Sequence, residues 1–168
     1  MSPNPLPDAE AQCAELAALI RPSLQATTHL VGIHSGGAWV AQRLQTLLGL
    51  PGEIGLIDVS FYRDDFGQRG LHPQVLPTHL PFAVEDTTLI LVDDVLFTGR
   101  TTRAAINELF DYGRPQRIQL AVLADRGGRE LPVHPDFCLW RPDIARNEEL
   151  ILETAANGLL QWRCKTHA

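Results

Sequence analysis

The segment that decides the fold runs Leu89-Ile90-Leu91-Val92-Asp93-Asp94-Val95-Leu96-Phe97-Thr98-Gly99-Arg100-Thr101. Four apolar residues lead into two carboxylates, and a short loop with Thr and Gly precedes a predicted helix. A short, continuous apolar run is typical of a strand that is buried on both faces of a parallel sheet. Ligands of such sheets bind beyond the carboxyl ends of the strands, so the pattern places Asp93 and Asp94 at a binding site.

The chemistry of this segment suits a phosphorylated sugar. Neighbouring carboxylates can accept hydrogen bonds from vicinal ribose hydroxyls, directly or through hydrated Mg²⁺. Residues 98–102 offer backbone N–H groups, hydroxyls and a helix N-terminus to a phosphate, and Gly99 allows the tight backbone that such a loop needs. For the two acids alone, an ordinary strand end with a capping acid is the alternative. The string is neither a Walker A loop nor a dinucleotide fingerprint, because Gly-Lys-Ser/Thr and Gly-x-Gly-x-x-Gly are both missing from it.

Strand and helix patterns alternate along the rest of the chain. Hydrophobic spacing predicts helices over residues 8–24, 38–48 and 101–112, and strands over 29–33, 55–60, 88–92 and 117–124. This alternation predicts an α/β fold with a doubly wound, mostly parallel sheet. Near the C-terminus, two apolar segments flank Asn157-Gly158, a hairpin turn signal, so we expect a small antiparallel addition over residues 150–163.

Composition predicts one globular domain over residues 1–168. The chain is 45% hydrophobic and 20% charged, and its formal net charge of −6 disfavours a bulk electrostatic footprint for nucleic acid. The N-terminus has neither a basic start nor an apolar signal core, and Cys13, Cys138 and Cys164 form no metal-binding spacing, so we expect a cytoplasmic protein with free thiols. Residues 1–7 carry three prolines and predict a loose tail, whereas the polar stretch 61–81 predicts a long functional loop.

Further blocks carry a resemblance to a known family. They include Leu30-Val31-Gly32-Ile33, the stretch Ile-Asp-Val-Ser-Phe-Tyr-Arg-Asp-Asp at 57–65, and Asp-Arg-Gly-Gly-Arg-Glu-Leu-Pro at 125–132. Together with the acidic string, which many phosphoribosyltransferases share, they make residues 28–136 resemble the bifunctional pyrimidine operon regulators and uracil phosphoribosyltransferases. This resemblance implies the type I phosphoribosyltransferase fold. It also implies a reaction in which uracil and phosphoribosyl pyrophosphate (PRPP) give UMP and pyrophosphate with Mg²⁺.

The resemblance also implies a role for each matching residue. The two acids would bind the ribose and hold Mg²⁺ indirectly, through water or PRPP. They would also be the catalytic residues, one of them acting as a base or stabilising positive charge on the ribose. The PRPP string would continue into a 5′-phosphate loop, a second loop would bind pyrophosphate, a flexible hood loop over 61–81 would close over the site, and two arginines would line the base or nucleotide pocket. In that order the residues are Asp93 and Asp94; Val95, Leu96 and Phe97 of the PRPP string, then Thr98, Gly99, Arg100, Thr101 and Thr102 as the 5′-phosphate loop; Ser35, Gly36 and Gly37; Tyr62 and Arg63; and Arg126 and Arg129. For the last two, a salt-bridge network with Asp125 and Glu130 is an equal alternative.

Two departures from the family pattern bear on function. The family commonly has an Arg where this chain has Gly36, so a fixed cation is missing from the pyrophosphate loop. Arg63, Arg69 or His34 could supply the missing positive charge; the alternative is weak catalysis. The segment from Cys138 to Asp143 also differs from the family's Gly-Lys-x-x-Pro-Thr type, which leaves a different base, or a catalytically impaired homologue, as a further alternative.

The resemblance leaves two function classes open, an enzyme and a nucleotide-sensing attenuator that binds RNA. Arg21 and Arg43 are the only basic residues among the first sixty, and an RNA groove would require a basic stripe, so the sequence favours the enzyme. The resemblance also leads us to expect a homo-oligomer, a dimer or larger.

Overall fold

The structure is a computed structural model that describes residues 5–60 and 76–168. Strands and helices alternate as the sequence predicted. The elements in chain order are α1 (Ala9–Ile20) with a 3₁₀ turn (Arg21–Ser23), β1 (Thr28–Ile33), α2 (Gly36–Leu48), β2 (Gly55–Ile57), β3 (Thr88–Leu96), α3 (Arg100–Phe110), β4 (Arg117–Asp125), β5 (Glu148–Thr154) and β6 (Leu160–Thr166).

The central sheet is parallel and has the strand order β2-β1-β3-β4. The predicted parallel α/β sheet is therefore confirmed. The chain returns along the outer edge of β4, where Phe137 and Trp140 form single parallel bridges with Ala121 and Ala124. This extended segment covers an edge that would otherwise present unpaired backbone groups.

Helices cover both faces of the sheet, as in a doubly wound fold. Alternate residues of the strands point to opposite faces, so Ile90 and Val92 join the core under α1 and α2, whereas Leu89 and Leu91 join the core under α3. All four side chains are fully buried. Because each such side chain contributes about 1.5–3 kcal/mol on burial, this run anchors β3 at the centre of the molecule.

The C-terminal hairpin packs on the face that carries α1 and α2. Strands β5 and β6 are antiparallel and form a separate two-stranded sheet, which confirms the predicted addition. Gly158 takes φ +83° in the turn, and the Leu159 N–H donates to the Asn157 side chain. Trp162 is buried against α1, where its indole Nε1–H donates to Gln12 Oε1 over 2.6 Å.

Several predicted boundaries were wrong by a few residues. Helix α1 ends at Ile20 because Pro22 has no N–H with which to continue the helical hydrogen bonds, and the chain continues as a 3₁₀ turn. Helix α2 begins at Gly36 rather than at residue 38, β2 ends at Ile57 rather than at residue 60, and α3 runs from Arg100 to Phe110 rather than over 101–112. Within the residues that the structure describes, no helix is long and apolar enough to cross a bilayer.

Candidate active site

The two acids lie on β3 at the point where the strand loses one neighbour. Pairing with β1 stops at Gly32 opposite Val92, whereas pairing with β4 continues to Leu96 opposite Asp125. The prediction that the strand ends at residue 92 was therefore wrong. Because β4 keeps its hydrogen bonds to β3, Asp93 and Asp94 are held in extended backbone, while their side toward β1 is no longer paired with that strand.

Backbone N–H groups hold both carboxylates. Asp93 Oδ1 accepts from the Asp94 N–H over 2.9 Å, and Asp94 Oδ1 accepts from the Val95 N–H over 2.9 Å. Asp93 is buried and Asp94 is half-buried. An ionised carboxylate has about four lone-pair sites, so the bond from the Val95 N–H leaves Asp94 further acceptor capacity for a ligand.

The loop of Ser35, Gly36 and Gly37 lies directly against these acids. It follows β1 and continues into the first turn of α2, which begins at Gly36. It comes after a cis peptide between His34 and Ser35, and the His34 N–H ties it to β2 by donating to the Ile57 carbonyl over 2.8 Å. A Cβ added at Gly37 would lie 2.9 Å from Asp93 Cα. The structure therefore brings the predicted pyrophosphate loop into contact with the two predicted ribose-binding acids.

The loop over residues 98–102 forms the other wall. Gly99 takes φ +94° and α3 begins at Arg100, so the first N–H groups of the helix face out from its N-terminus. The Thr98 hydroxyl accepts from the Arg100 N–H over 3.2 Å, and the Thr98 carbonyl accepts from the Glu130 and Leu131 N–H groups. This loop is thereby braced by the chain that follows β4.

Not every residue of the PRPP string reaches the site with its side chain. Leu96 is buried in the core beneath α3, and Thr102, only 2% exposed, lines a cavity of about 280 Å³ with Ile106 and Ile118. Arg100 is exposed and pairs with Glu130 over 2.8 Å. Leu96 and Thr102 can therefore contribute backbone groups, but their side chains serve the packing of α3.

The two arginines proposed for the base pocket have different surroundings. The Arg129 guanidinium donates hydrogen bonds to three protein acceptors: Val133 O at 2.7 Å, Phe97 O at 2.7 Å and Asp125 Oδ2 at 2.8 Å. These contacts fasten the chain after β4 to the end of β3. For Arg129 the structure therefore supports the salt-bridge alternative.

Arg126 instead faces an aromatic ring. Its guanidinium carbon lies 4.0 Å from the centroid of the Phe97 ring, and its backbone N–H donates to the Leu96 carbonyl over 3.0 Å. Within the described part of the chain, its guanidinium is in no ion pair. A cation stacked in this way keeps its in-plane N–H donors directed outward from the ring edge.

Asp125, the last residue of β4, anchors this corner. Its carboxylate accepts from the Gly127 N–H over 3.0 Å as well as from Arg129, and Arg141 lies 3.9 Å away. Burial acts to raise the pKa of Asp125, but these hydrogen bonds and cations outweigh it and hold the pKa below its ordinary value. From the sequence, Asp125 was predicted only as a salt-bridge partner of Arg126 and Arg129, in the alternative to a base pocket. Its place at the carboxyl end of the strand beside β3 was the signal that marks it as an anchor.

Sequence comparison agrees with this geometry. Residues 4–148 match the phosphoribosyl transferase domain family. The chain is 51% identical over 155 residues to the bifunctional protein PyrR of Ralstonia nicotianae, covering 90% of this chain and 88% of the relative. It is 46% identical over 154 residues to that of Pseudomonas fluorescens, covering 92% of each. The chain belongs to the PyrR family of phosphoribosyltransferases. The predicted family is thus confirmed.

Solved structures give the same fold as these PyrR relatives imply. A purine phosphoribosyltransferase from Pyrococcus horikoshii superposes with a TM-score of 0.62 at 30% identity, covering 80% of this chain and 82% of that one. A hypoxanthine phosphoribosyltransferase from Staphylococcus aureus superposes with a TM-score of 0.64 at 21% identity, covering 84% and 80%. The second likeness concerns the fold alone, and the type I phosphoribosyltransferase fold is confirmed.

Other PyrR-family expectations meet the structure only in part. Tyr62, Arg63 and Arg69 lie outside the described residues. At the end of the predicted hood loop, the backbone of His79 forms two hydrogen bonds with Leu56 of β2, so this part of the range 61–81 is bound to the sheet edge.

The segment that departs from the PyrR pattern after Phe137 is built into the body of the protein. The Cys138 thiol donates to the Trp140 carbonyl over 3.3 Å, and burial raises its pKa. The Trp140 ring packs against Trp162 with their centroids 5.4 Å apart. Trp140 therefore acts as a packing residue between the segment along β4 and the C-terminal hairpin.

Proposed function

We propose that this chain transfers the phosphoribosyl group of PRPP to uracil, giving UMP and pyrophosphate. The observation that carries the proposal is the meeting of three elements at one edge of the sheet: the acids Asp93 and Asp94, the loop of Gly36 and Gly37, and the N-terminus of α3. PRPP has vicinal hydroxyls, a pyrophosphate and a 5′-phosphate, and each of the three elements suits one of these groups.

In this proposal the protein acts mainly by binding and orientation. Asp93 and Asp94 accept hydrogen bonds from the ribose hydroxyls, and the N–H groups at the start of α3 bind the 5′-phosphate. Holding the ribose at both ends sets the anomeric carbon against the uracil nitrogen, which lowers the entropic part of the barrier. Asp93 or Asp94 can also stabilise the positive charge that develops on the ribose.

The two carboxylates suit Mg²⁺ held jointly with the substrate. In residues 5–60 and 76–168, no group of three or more His, Cys, Asp or Glu side chains could hold a metal ion by itself. Mg²⁺ commonly keeps several waters and binds through one or two carboxylates together with substrate phosphates, which is the donor set that Asp93 and Asp94 supply. Bound there, the ion would neutralise charge on the leaving pyrophosphate.

Arg126 is the residue that we propose for the recognition of the base. It follows directly after β4, whose last residue Asp125 pairs with Leu96 of β3, and Phe97 holds its guanidinium by stacking. Uracil carries two carbonyl acceptors, which suit the planar N–H donors of an arginine. We do not assign Arg129 this role, because three of its five guanidinium N–H groups donate to Val133, Phe97 and Asp125.

The test is UMP formation from uracil and PRPP with Mg²⁺, with a panel of other bases run in parallel. We expect Asp94→Asn to lower kcat/KM for PRPP by about 100-fold or more, because it removes a charged acceptor from the reacting sugar. Glu15→Gln is the matched control, since it also replaces an acid by its amide, and Glu15 is exposed on α1. If the wild-type protein converts a different base with PRPP, that base replaces uracil in the proposal. If it binds PRPP without converting any base, it acts as a sensor.

The alternative function is a transcription attenuator that binds RNA and responds to UMP or UTP. Its support is that the PyrR relatives are named bifunctional proteins, together with exposed arginines such as Arg117, Arg141 and Arg146. The test is binding to a pyrimidine-operon leader RNA across a salt series, because phosphate contacts give an affinity that falls steeply with salt. Absence of binding at low salt would remove this function.

We also expect the chain to assemble as a homo-oligomer. Sedimentation equilibrium of the full chain, with and without PRPP, measures the mass directly. A monomer at all concentrations would contradict the expectation.

A further inference from the structure

Three consecutive backbone carbonyls, where β3 passes into the 5′-phosphate loop, are bound by the chain that follows β4. The carbonyls of Leu96 and Thr98 accept from backbone N–H groups of residues 126–131 over 2.9 to 3.1 Å. The Phe97 carbonyl between them accepts from Arg129 Nη1 over 2.7 Å. The direction of the Phe97 carbonyl thus depends on a side chain, whereas its two neighbours are held by backbone.

These bonds also set which edge of each peptide faces the other way. In a planar trans peptide, the carbonyl and the N–H of the next residue point in opposite directions. With the Phe97 and Thr98 carbonyls directed at residues 126–131, both peptides turn their N–H edges away from that segment. Gly99 then takes φ +94° and leads into α3, whose first N–H groups have no acceptor within the helix. Successive N–H edges turned to one side form a concave backbone site for an anion.

The Arg129 guanidinium is fixed in both position and direction by the protein. Besides the bond to Phe97, its Nε donates to the Val133 carbonyl over 2.7 Å, and its Nη2 donates to Asp125 Oδ2 over 2.8 Å. The guanidinium is a planar fork, so three bonds from it leave little freedom to rotate. The contacts with Val133 and Asp125 therefore aim the third bond at the carbonyl of Phe97.

We propose that Arg129 is a positioning residue for the 5′-phosphate, which acts by holding the Phe97 carbonyl away from the bound phosphate. Without the guanidinium, this carbonyl loses its donor, and the peptide between Phe97 and Thr98 is released to turn. The negative end of the peptide dipole would then face the phosphate in place of the N–H edge. The inference rests on the proposed function for its ligand, because residues 98–102 are the loop assigned to the 5′-phosphate.

Calorimetric titration of the full chain with three ligands tests this role. Ribose 5-phosphate and PRPP carry the 5′-phosphate, whereas pyrophosphate with Mg²⁺ lacks it. We expect Arg129→Ala to raise the Kd for the first two about tenfold or more, because one N–H bond to a charged group contributes about that much. The Kd for pyrophosphate should stay close to that of wild type. An equal loss for all three ligands, or no loss for ribose 5-phosphate, would overturn the proposal.

Two further variants separate positioning from charge and from stability. Arg129→Lys keeps the positive charge, but an ammonium has no planar fork with which to hold two carbonyls and a carboxylate together. We therefore expect it to raise the Kd for ribose 5-phosphate nearly as much as Arg129→Ala, and wild-type affinity would overturn the proposal. Asp125→Ala weakens the same corner but leaves the bond from Arg129 to Phe97, so its Kd should rise less. A loss of affinity that simply follows the fall in Tm across these variants would show a purely structural role and would also overturn it.

Arg21→Ala is the matched control. Arg21 likewise donates from its guanidinium to a backbone carbonyl, that of Leu47, over 2.8 Å. It lies between α1 and β1, at the amino ends of the strands, whereas the acids and the 5′-phosphate loop lie at their carboxyl ends. Its Kd for each of the three ligands should match that of wild type.

A crystal structure of Arg129→Ala decides the inference whatever the activity is. We expect the peptide between Phe97 and Thr98 to turn while β3 and β4 keep their register, and an unchanged direction of the Phe97 carbonyl would show the inference to be wrong. Wild-type protein that binds ribose 5-phosphate and PRPP but makes no UMP would end the proposed function, and the binding data would still decide this inference. Wild-type protein that binds neither ligand would overturn the inference, because the loop would then hold no phosphate.

Discussion

Removal of the Asp125 carboxylate should loosen the corner that holds the ends of β3 and β4 together. In Asp125→Ala, Arg129 loses its 2.8 Å ion pair, and the Gly127 N–H loses its acceptor. Breaking a buried pair costs about 3–5 kcal/mol. Arg129 keeps its two carbonyl acceptors and its side chain is 23% exposed, so we expect a smaller loss of about 2–3 kcal/mol in the free energy of unfolding.

Urea denaturation at pH 7, followed by far-ultraviolet circular dichroism, measures this loss. For a chain of this size, 2–3 kcal/mol corresponds to a fall in Tm of about 5–10 °C. Asp143→Ala is the control and should stay within about 0.5 kcal/mol of wild type, because Asp143 is exposed. The reasoning is refuted if Asp125→Ala also stays within that margin.

The pH dependence gives the same prediction an independent check. The folded protein holds the pKa of Asp125 below its ordinary value of 3.8, so the charged carboxylate stabilises the folded state. This contribution is present in full above the unfolded pKa and is lost as the pH falls through the folded pKa. The difference in stability between wild type and Asp125→Ala should therefore shrink below about pH 4. A difference that grows toward acid would have the wrong sign.

Two further predictions concern contacts that the fold creates. Gly127 and Gly128 both have positive φ, but an added Cβ meets the Phe97 ring at 2.5 Å only at Gly128 and nothing within 4 Å at Gly127. Phe97 is the ring on which Arg126, the proposed base-binding residue, stacks. Gly128→Ala should therefore raise the KM for the base in the UMP assay more than Gly127→Ala does. Equal effects of the two substitutions would show that backbone strain alone is responsible. Gln12→Ala should lower the free energy of unfolding by about 1–3 kcal/mol, because it leaves the buried indole N–H of Trp162 without its acceptor. Urea denaturation with Trp162→Phe as the second variant checks this, since Gln12→Ala should cost less in that background.

Much of the architecture could be predicted from local patterns. The apolar run before Asp93, the alternation of strand and helix periods, and the Asn157-Gly158 turn gave the fold class, the parallel sheet and the hairpin. These features depend on residues close together in sequence, where periodicity and turn chemistry act directly. Motif resemblance gave the family, which the comparisons confirm.

The tertiary structure decided what the individual site residues do. The sequence gives no reason to distinguish Arg126 from Arg129. In the structure Arg126 stacks on Phe97, whereas Arg129 donates hydrogen bonds to backbone carbonyls and to Asp125. The positions of these partners depend on how β3 and β4 pair. The extension of β3 past Val92 likewise depends on its pairing with β4, and the local sequence does not reveal that pairing.

The contact between Gly37 and Asp93 joins residues that are far apart in the chain, through a loop and a strand that meet only when the sheet forms. The sequence by itself determined which elements form and which chemistry they carry. Only the assembled sheet determined which side chains face the ligand, because contacts between distant residues are set by the packing of whole elements.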